Sequence, residues 1–323
     1  MLQAPARHAR LTPGAEPLGE EAGGLASRAG SLARRLLGQA GRGRVLAAFS
    51  GAIYLRARGG EILWIQGREA PMHRRGVELA AAAVPRVAEG AFFGVDGEML
   101  RVGPSIRIDL RGAVPWEPGL VELGASGSPE EIAARIRELF GAIDTAGARE
   151  LGSLIPTLRA MFDDGPVAPP KTGDPVVDAA APHVIGAALA CRERDARALE
   201  GHARALVGLG RGLTPSGDDF VGALLFVLRR VPGERPLSFV QDACAKARGR
   251  ADRTNAISFA LLGDHAAGHG NAFEHEIVSG LCDAHPEAGL RTAVERLVRI
   301  GHSSGWDQLA GMVAALSGYR ESA

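Results

Sequence analysis

The order of apolar and polar positions divides the chain into a strand-rich first part and a helix-rich second part. Across residues 43–110, short runs such as RVLAAF, EILWIQ and SIRIDL alternate or carry β-branched and aromatic residues. Glycine-bearing turns separate these runs, which is typical of short strands. Gly59-Gly60 and Asp96-Gly97 have the composition of two-residue hairpin turns, because glycine tolerates positive φ. We therefore expect a small, largely antiparallel β-domain.

The pattern after residue 127 predicts helices instead. Ser128-Pro129-Glu130-Glu131 places a capping serine before a proline at the first helical position, with glutamate three residues after the cap. This is the arrangement of a capping box. Further helices are predicted over residues 146–163, 174–205, 217–230, 238–262, 271–284, 287–300 and 305–317. The expected fold class is α+β, with a β-rich N-terminal domain and a mostly α-helical C-terminal domain.

The predicted domain boundaries follow these changes in the pattern of apolar and polar residues. Residues 1–30 are rich in Ala, Arg, Gly and Pro without sustained periodicity, so we expect a loosely ordered lead-in. Residues 31–127 form the predicted β-rich domain and end in a Pro- and Gly-rich bridge, and residues 128–323 form the helical domain. Within the β-rich part, residues 72–87 are expected to be either a helix or a strand plus a loop.

The most distinctive stretch is GLGRGLTPSGDDFVGALLFVL, at residues 208–228. Alternating glycines and a Thr-Pro-Ser-Gly turn lead into a helix that is apolar on nearly every side, and such a helix is buried. Asp218 and Asp219 lie at its start. Buried carboxylates are costly unless they are paired, hydrogen-bonded or bound to a metal. The stretch is therefore the first candidate for a functional site, which we place in the helical domain.

A second stretch near the C-terminus repeats part of this pattern. Ser304-Gly305-Trp306-Asp307 shares the order Ser-Gly-x-Asp with Ser216-Gly217-Asp218-Asp219 and also precedes an apolar helix. One interpretation is that the two turns face each other across one pocket. The alternative is that each is only a good helix start, because Ser and Asp at this spacing fit a capping box. Capping would explain Asp219 and Asp307, but it leaves Asp218 without a role.

Two acids beside a glycine-rich turn restrict the chemical groups that a ligand of this site can carry. The glycines lack the spacing of a Walker motif or a dinucleotide-binding motif, although backbone N–H groups at a helix start can hold an anion. Because the acids would repel a bare phosphate, either a divalent cation such as Mg²⁺ bridges them or they accept hydrogen bonds from an NH₂ group. No cofactor is certain, and Mg²⁺ is the candidate. We expect a small-molecule substrate that carries amide and anionic groups.

His302 immediately precedes the second turn and could serve as an oxyanion donor or a proton carrier, although a lone histidine is more often structural. The candidate catalytic residues are Asp218, Asp219 and His302. Thr214 and Ser216 are expected to orient ligand anions, whereas Asp218 and Asp219 are expected to hold an amide NH₂ group or a metal. The candidate substrate-binding residues are Gly210, Arg211, Gly212, Thr214, Ser216, Gly217, Arg253, Thr254, Ser303, Ser304 and Asp307.

Three histidines form a looser cluster between the two turns. His265 and His269 have the spacing of a helical metal pair, and His275 and Glu274 follow closely. The glycines around them indicate a loop, and the HExxH motif is absent. A metal site is therefore not favoured at this cluster.

Composition excludes several other classes of protein. Lys plus Arg and Asp plus Glu both number 37, and no dense basic patch carries interleaved aromatics, so nucleic-acid binding is not expected. Cys191, Cys244 and Cys282 are far apart, which argues against a disulfide framework or a zinc ribbon and favours small buried residues. No apolar run approaches the roughly 20 residues of a membrane span, and no signal peptide is evident. We expect a cytoplasmic protein that does not bind a membrane.

Three strings occur in the order GLGRGLTPSGDDFVGALL, RTNAISFALL and IGHSSGWDQLAGMV. Together they resemble the AllH-type family over residues 43–318. The namesake of this family is a subunit of oxamate carbamoyltransferase. The resemblance implies carbamoyl transfer, in which oxamate and carbamoyl phosphate are in equilibrium with oxalurate and phosphate, within allantoin-derived nitrogen catabolism. It also implies AllG-like and FdrA-like partner subunits.

Two other functions stay open beside this one. The chain could be a non-catalytic assembly or metabolite-binding subunit, in which the TPSGDD turn holds a ligand or is only structural. It could also be a metal-dependent hydrolase or phosphotransferase that acts alone.

Overall fold

The computed structural model describes residues 22–39, 41–118, 127–163, 165, 167–231, 238, 241–242, 253–282 and 289–319. The chain divides into two compact units. The first unit comprises the described residues up to Ala70 together with Arg75–Trp116, and the second comprises Pro71–Arg74 and the described residues from Glu117 onward. Strands dominate the first unit and helices the second, so the predicted α+β class is confirmed.

The first unit is a closed, barrel-like sheet. Its strands are β1 (Ala22–Gly30), β2 (Arg42–Ala48), β3 (Ala52–Ala57), β4 (Ile62–Gln66), β5 (Gly76–Leu79), β6 (Phe92–Asp96), β7 (Met99–Val102), β8 (Ile106–Asp109) and β9 (Val114–Trp116), and helix α1 spans Ser31–Gly38. The strand order is β5-β4-β3-β2-β6-β7-β8-β1-β9, and an additional pairing of β1 with β5 closes the sheet. Most pairings are antiparallel, but β1 runs parallel to β8 and β9, and β4 runs parallel to β5.

Alternation along the strands determines which side chains fill the barrel. Ile53 and Leu55 of β3 are buried, whereas Tyr54 between them and Arg56 after them are more accessible. Side chains that alternate along a strand lie on opposite faces of the sheet, so the apolar set forms the interior. The predicted turns at Gly59-Gly60 and Asp96-Gly97 join β3 to β4 and β6 to β7. Gly60 and Gly97, the second residues of these turns, have φ of 89° and 60°.

Two expectations for the first part of the chain need correction or completion. Residues 22–30, expected within the loosely ordered lead-in, form β1, because this strand pairs with β5, β8 and β9, which are distant in sequence. Residues 72–87 are a strand plus a loop, since only β5 is regular there. Residues 1–21 of the lead-in and residues 119–126 of the bridge lie outside the described residues.

The second unit is helical. Its elements are α2 (Pro129–Ala142), a 3₁₀ helix (Glu150–Leu154), α3 (Ile155–Phe162), α4 (Pro175–Glu193), α5 (Ala196–Leu206), α6 (Ser216–Arg230), α7 (Ala256–Ala266), α8 (Ala272–Cys282), α9 (Leu290–Leu297) and α10 (Ser304–Ser317). The capping box before α2 is confirmed: Ser128 N donates to Glu131 Oε2 at 2.7 Å, and Glu131 N donates to Ser128 Oγ at 3.3 Å. No helix among the described residues is long and apolar enough to cross a membrane.

Some predicted helices differ from those observed. The helix expected over residues 174–205 is broken, because Arg194 adopts a left-handed conformation with φ of 57° and Asp195 caps α5. Of the helix expected over residues 238–262, residues 239–240 and 243–252, which include Cys244, lie outside the described residues, and α7 begins at Ala256. Cys191 and Cys282 are buried in the helical core, as expected.

Helices α6 and α10 form the centre of the helical core. All residues of α6 from Ser216 to Leu228 are buried, and so are all residues of α10 from Gly305 to Ser317. The two backbones approach closely at Gly311 of α10, where an added Cβ would lie 2.1 Å from the carbonyl oxygen of Phe220 in α6. The burial predicted for a helix that is apolar all round is therefore confirmed for α6.

Gly311→Ala should destabilise the helical unit, because the added methyl group forces α6 and α10 apart at the Phe220 carbonyl. Overpacking of this kind costs about 1–3 kcal/mol in free energy of unfolding. Gly141 in α2 provides the control, since nothing lies within 4 Å of a Cβ built there. Gly141→Ala should stabilise the protein by up to about 1 kcal/mol through helix propensity. Urea unfolding followed by far-ultraviolet circular dichroism measures both changes. A Gly311→Ala variant with the same free energy of unfolding as wild type would contradict the close backbone contact.

Candidate functional site

The Ser-Gly-x-Asp turns that begin α6 and α10 lie side by side. Thr214 Oγ1, just before α6, is 3.0 Å from Ser304 Oγ, at the start of α10. The serine hydroxyl of each turn also affects the pKa of an aspartate in the other turn. The Ser216 hydroxyl favours the charged form of Asp307, and the Ser304 hydroxyl favours the charged form of Asp219. The two turns therefore build one site, as the first interpretation of the repeat expected.

Both turns begin helices, but neither is a capping box, so capping does not explain their serines and aspartates. Pro215 and Ser303 occupy the N-cap positions of α6 and α10, and neither helix has a side-chain hydrogen bond at its cap. Ser216 Oγ donates instead to Glu150 Oε2. The serine hydroxyls are therefore used between chain segments rather than on the first turn of their own helix.

The glycine of each turn has the same steric role. A Cβ added at Gly217 would lie 1.9 Å from the carbonyl oxygen of Leu206, at the end of α5. A Cβ added at Gly305 would lie 1.9 Å from the carbonyl oxygen of Leu297, at the end of α9. Only glycine permits this contact between a helix start and the end of the preceding helix. The same contact between a helix start and the preceding helix end thus occurs twice, which accounts for the glycine in both turns.

The alternating glycines before α6 are required by the backbone. Gly208, Gly210 and Gly212 have φ of 83°, 113° and 94°, values that favour glycine. Gly208 also has no room for a side chain, because an added Cβ would lie 2.2 Å from the carbonyl oxygen of Arg253. The loop is therefore bent by its glycines and held close to the segment that leads into α7.

Asp218 anchors this loop. Its carboxylate accepts hydrogen bonds from Gly208 N at 2.7 Å, from Ser258 Oγ at 2.5 Å and from Thr254 Oγ1. Three donors from two other segments thus converge on one buried side chain of α6. Asp218 and Thr254 were both expected to contact a ligand, but in the structure they are hydrogen-bonded to each other.

Asp219 and Asp307 are the buried acids with unused hydrogen-bonding capacity. Asp219 Oδ1 accepts from Gln308 Nε2 at 3.5 Å, and Asp307 Oδ1 accepts from Leu151 N at 2.9 Å. Within the described residues, the Oδ2 atom of each has no partner in hydrogen-bonding geometry. The two residues are only 5% and 0% exposed. A buried carboxylate oxygen without a donor is costly, so this arrangement favours the protonated form of each acid.

Burial raises the pKa of both acids. Desolvation raises the pKa of Asp219 well above its usual value, and the charge of Asp307 raises it further. Desolvation also raises the pKa of Asp307 to about 7; the nearby Ser216 hydroxyl opposes this rise, and the Glu150 charge adds to it. Carboxyl groups that interact this strongly titrate as a pair. The site therefore holds a proton near neutral pH.

A buried polar network continues from Asp219 into the core. Gln308 Oε1 accepts from Asn271 Nδ2 at 3.1 Å, and Asn271 N donates to Glu274 Oε2 at 2.7 Å. His265 Nε2 lies 3.0 Å from the same Glu274 oxygen. Burial opposes the charged form of His265, but the Glu274 carboxylate outweighs it and raises the pKa of His265. The network thus links the acid pair to a buried ion pair.

The histidine cluster is part of this hydrogen-bonded core. His265 pairs with Glu274, and His275 Nε2 accepts from Gly270 N at 3.2 Å. Burial lowers the pKa of His275 to about 3, so this ring is neutral. Within the described parts of the chain, no group of three or more His, Cys, Asp and Glu side chains is arranged to hold a metal ion.

The accessible side of the two turns carries hydroxyl and basic groups. His302 is exposed, and its Nδ1 atom lies 3.0 Å from Arg149 Nη1. Arg149 also approaches the His302 carbonyl oxygen at 3.4 Å. The exposed or half-buried side chains of the expected site are Arg211, Thr214, Arg253, Thr254, His302, Ser303 and Ser304. Thr214, Ser303 and Ser304 are thus more accessible than Asp219 and Asp307, whereas Ser216 is buried.

Four further residues of the site carry no motif in the sequence. Arg149 and Glu150 come from the start of the 3₁₀ helix, and Glu150 adopts a left-handed φ of 44° that no local pattern indicates. Asn271 is connected to the site by its hydrogen bond to Gln308. Gln308 could have been found, because a polar residue next to Asp307 inside an otherwise apolar helix is unusual.

Residues 206–316 match the model of a protein family described as oxamate carbamoyltransferase subunit AllH. The match contains both Ser-Gly-x-Asp turns and is narrower than the resemblance over residues 43–318, because it leaves out the whole barrel. No curated protein and no solved structure matches the chain.

The raised pKa of Asp307 predicts a pH-dependent stability. The folded state holds the Asp307 proton up to about pH 7, whereas the unfolded state releases it near the usual pKa of 3.8. The free energy of unfolding should therefore fall as the pH rises through this window. Asp307→Asn keeps an acceptor for Leu151 N but cannot ionise, so it should gain a few kcal/mol relative to wild type between about pH 4 and about pH 8.

Urea unfolding at the two pH values measures this difference. Other titrating groups, such as His265 and His275, are present in both proteins and cancel to first order. Asp218→Asn, at the start of the neighbouring helix α6, is the matched control, and it should lose stability at both pH values because its three donors lose a carboxylate acceptor. The same pH dependence in wild type and Asp307→Asn would show that Asp307 is ionised throughout.

Proposed function

We propose that this chain is a subunit of an oxamate carbamoyltransferase-like enzyme and that the paired turns of α6 and α10 bind its substrate. The family match supports the proposal, because it covers both turns and names a subunit of that enzyme. The proposed reaction is carbamoyl transfer between carbamoyl phosphate and oxamate, with oxalurate and phosphate as the other pair. AllG-like and FdrA-like subunits are the proposed partners.

The observation that carries the proposal is the pair of protonatable acids beneath two adjoining helix starts. Helix N-termini favour anions, because their backbone N–H groups and the macrodipole present positive charge. Two ionised acids at the same place would cancel this attraction. The raised pKa of Asp219 and of Asp307 reduces that conflict near neutral pH. A site that keeps its acids protonated can accept an anionic substrate such as oxamate or carbamoyl phosphate.

The hydroxyls of Thr214, Ser216 and Ser304 are the proposed substrate contacts. In the transfer, the amide nitrogen of oxamate bonds to the carbamoyl carbon, the bond from that carbon to the phosphate oxygen breaks, and phosphate leaves. The carbonyl oxygen gains negative charge as the nitrogen adds, so hydroxyl donors at that oxygen would stabilise the transition state. The nitrogen loses one proton, which the exposed His302 could accept.

The acid pair has two proposed roles. Through the serine hydroxyls, Asp219 and Asp307 act as positioning residues that orient donors and hold a proton. Their Oδ2 atoms, which lack a partner among the described residues, are also acceptors that an NH₂ group of oxamate or carbamoyl phosphate would satisfy. Asp218 is given a different role from the one expected from the sequence, because its oxygens already receive three donors.

Ser304→Ala tests the substrate-binding role. The substitution removes the hydroxyl that contacts Thr214 and acts on Asp219, so kcat/KM should fall by about 100-fold or more if it serves as an oxyanion donor. The assay is phosphate-dependent release of the carbamoyl group from oxalurate, with the chain mixed with AllG-like and FdrA-like subunits. Ser317→Ala is the control, because Ser317 lies at the other end of α10 and donates to Ala314 O at 2.8 Å.

Asp307→Asn adds a readout that a purely structural role would not change. We expect a change in the pH profile of kcat, because the variant removes a group that titrates near pH 7. Full activity and an unchanged pH profile in both variants, with partners present, would favour a non-catalytic assembly or metabolite-binding subunit. Metal-dependent hydrolysis of phosphate esters by the isolated chain would favour the third function.

A further inference from the structure

The barrel carries a concave, arginine-rich surface on β2, β3, β6 and β7. The cavity has a volume of about 800 Å³, within the range of small-molecule sites. Five arginines line it, together with backbone and side chains of the same strands. These arginines are Arg42, Arg44, Arg56, Arg58 and Arg101. We refer to this surface as the arginine cavity.

Strand pairing places these arginines next to each other. Arg44 of β2 is directly opposite Arg56 of β3. Arg42 is opposite Gly94 of β6, which is in turn opposite Arg101 of β7. Like charges directly opposite one another destabilise a strand pair. The barrel therefore maintains an unfavourable arrangement that a bound anion would relieve.

The protein itself provides little compensating negative charge. Within the part of the chain that the structure describes, Arg101 approaches Asp96 at 3.5 Å, and no carboxylate pairs with the other four cavity arginines. The Asp96 side chain is 79% exposed, so this ion pair is weak. Arg44 donates to Gly90 O at 3.1 Å, a contact that leaves its charge uncompensated. Most of the guanidinium donors thus stay available to a ligand.

The cavity also offers a surface for a planar ring. Phe92 is 66% exposed, which is unusual for a large apolar side chain, and the Arg44 guanidinium lies 4.0 Å above its ring centre. Guanidinium planes and aromatic rings both stack on flat groups. Gly94 keeps the middle of the surface open, because nothing lies within 4 Å of a Cβ built there. A ligand with several anionic groups and a flat ring would use all of these features.

We propose that the arginine cavity binds a small molecule that carries a polyphosphate group. The forked guanidinium groups of Arg42, Arg56, Arg58 and Arg101 match phosphate oxygens in geometry and charge. Phe92 and Arg44 provide the stacking surface if the polyphosphate belongs to a nucleotide. This site is separate from the acid pair of the helical unit, and its occupancy does not depend on the proposed carbamoyl transfer.

Calorimetric titration of the full chain with ATP and with inorganic triphosphate tests the proposal. Both probes should bind to wild type. The double variant Arg44→Gln/Arg56→Gln should weaken both at least about 10-fold, since it removes two charge-assisted contacts. The control, Arg34→Gln/Arg35→Gln, removes the same charge from exposed positions on α1 and should leave both affinities unchanged. Arg44→Gln/Arg56→Gln should also unfold no more readily than wild type, because it removes a repulsion.

Phe92→Ala distinguishes the two sources of polyphosphate. Weaker ATP binding with unchanged triphosphate binding identifies a nucleotide, and equal binding of both probes in both proteins identifies free polyphosphate. Absence of binding by either probe would overturn the proposal, as would equal losses in the α1 control. Binding of single-stranded RNA that exceeds ATP binding and grows with strand length would also overturn it in favour of a nucleic-acid surface.

Discussion

Two carboxyl groups buried at the starts of two packed helices impose the main constraint on the helical unit. Asp219 and Asp307 are almost fully removed from water, and each lacks a partner for one oxygen among the described residues. Their pKa values rise because the charged forms are poorly solvated there. The hydroxyls around them, the Leu151 amide and the Gln308 amide are the groups that make this burial tolerable. A structure that keeps such acids carries a stability cost that function can explain.

The same constraint explains why the two turns are so similar. In each turn, glycine allows close contact with the end of the preceding helix. The serine hydroxyl of each turn lowers the pKa of the buried aspartate in the other turn. The resemblance of either turn to a capping box is therefore misleading, because the spacing is the same while the hydrogen bonds run between segments. Asp218, which the capping pattern leaves unexplained, holds the glycine loop and the start of α7 to α6.

The sequence allowed much of this structure to be predicted where local chemistry decides the outcome. The hairpin at Asp96-Gly97, the cap at Ser128 and the burial of α6 follow from turn geometry, capping and all-round apolarity. Contacts between distant segments were out of reach. Residues 22–30 look unstructured until β5, β8 and β9 pair with them, and Glu150 joins the site from a segment with no motif. The arginine cavity was missed for the same reason, since strand pairing assembles residues from four separate runs.

A direct titration tests most clearly whether the acid pair holds a proton near neutral pH. Carbon-13 NMR of aspartate carboxyl carbons reports protonation residue by residue, with Asp219→Asn and Asp307→Asn supplying the assignments. We expect the Asp307 signal to titrate near pH 7 and the Asp219 signal to titrate well above the usual pKa of 3.8. Titration of both signals below about pH 5, in the ordinary range for aspartate, would contradict the account.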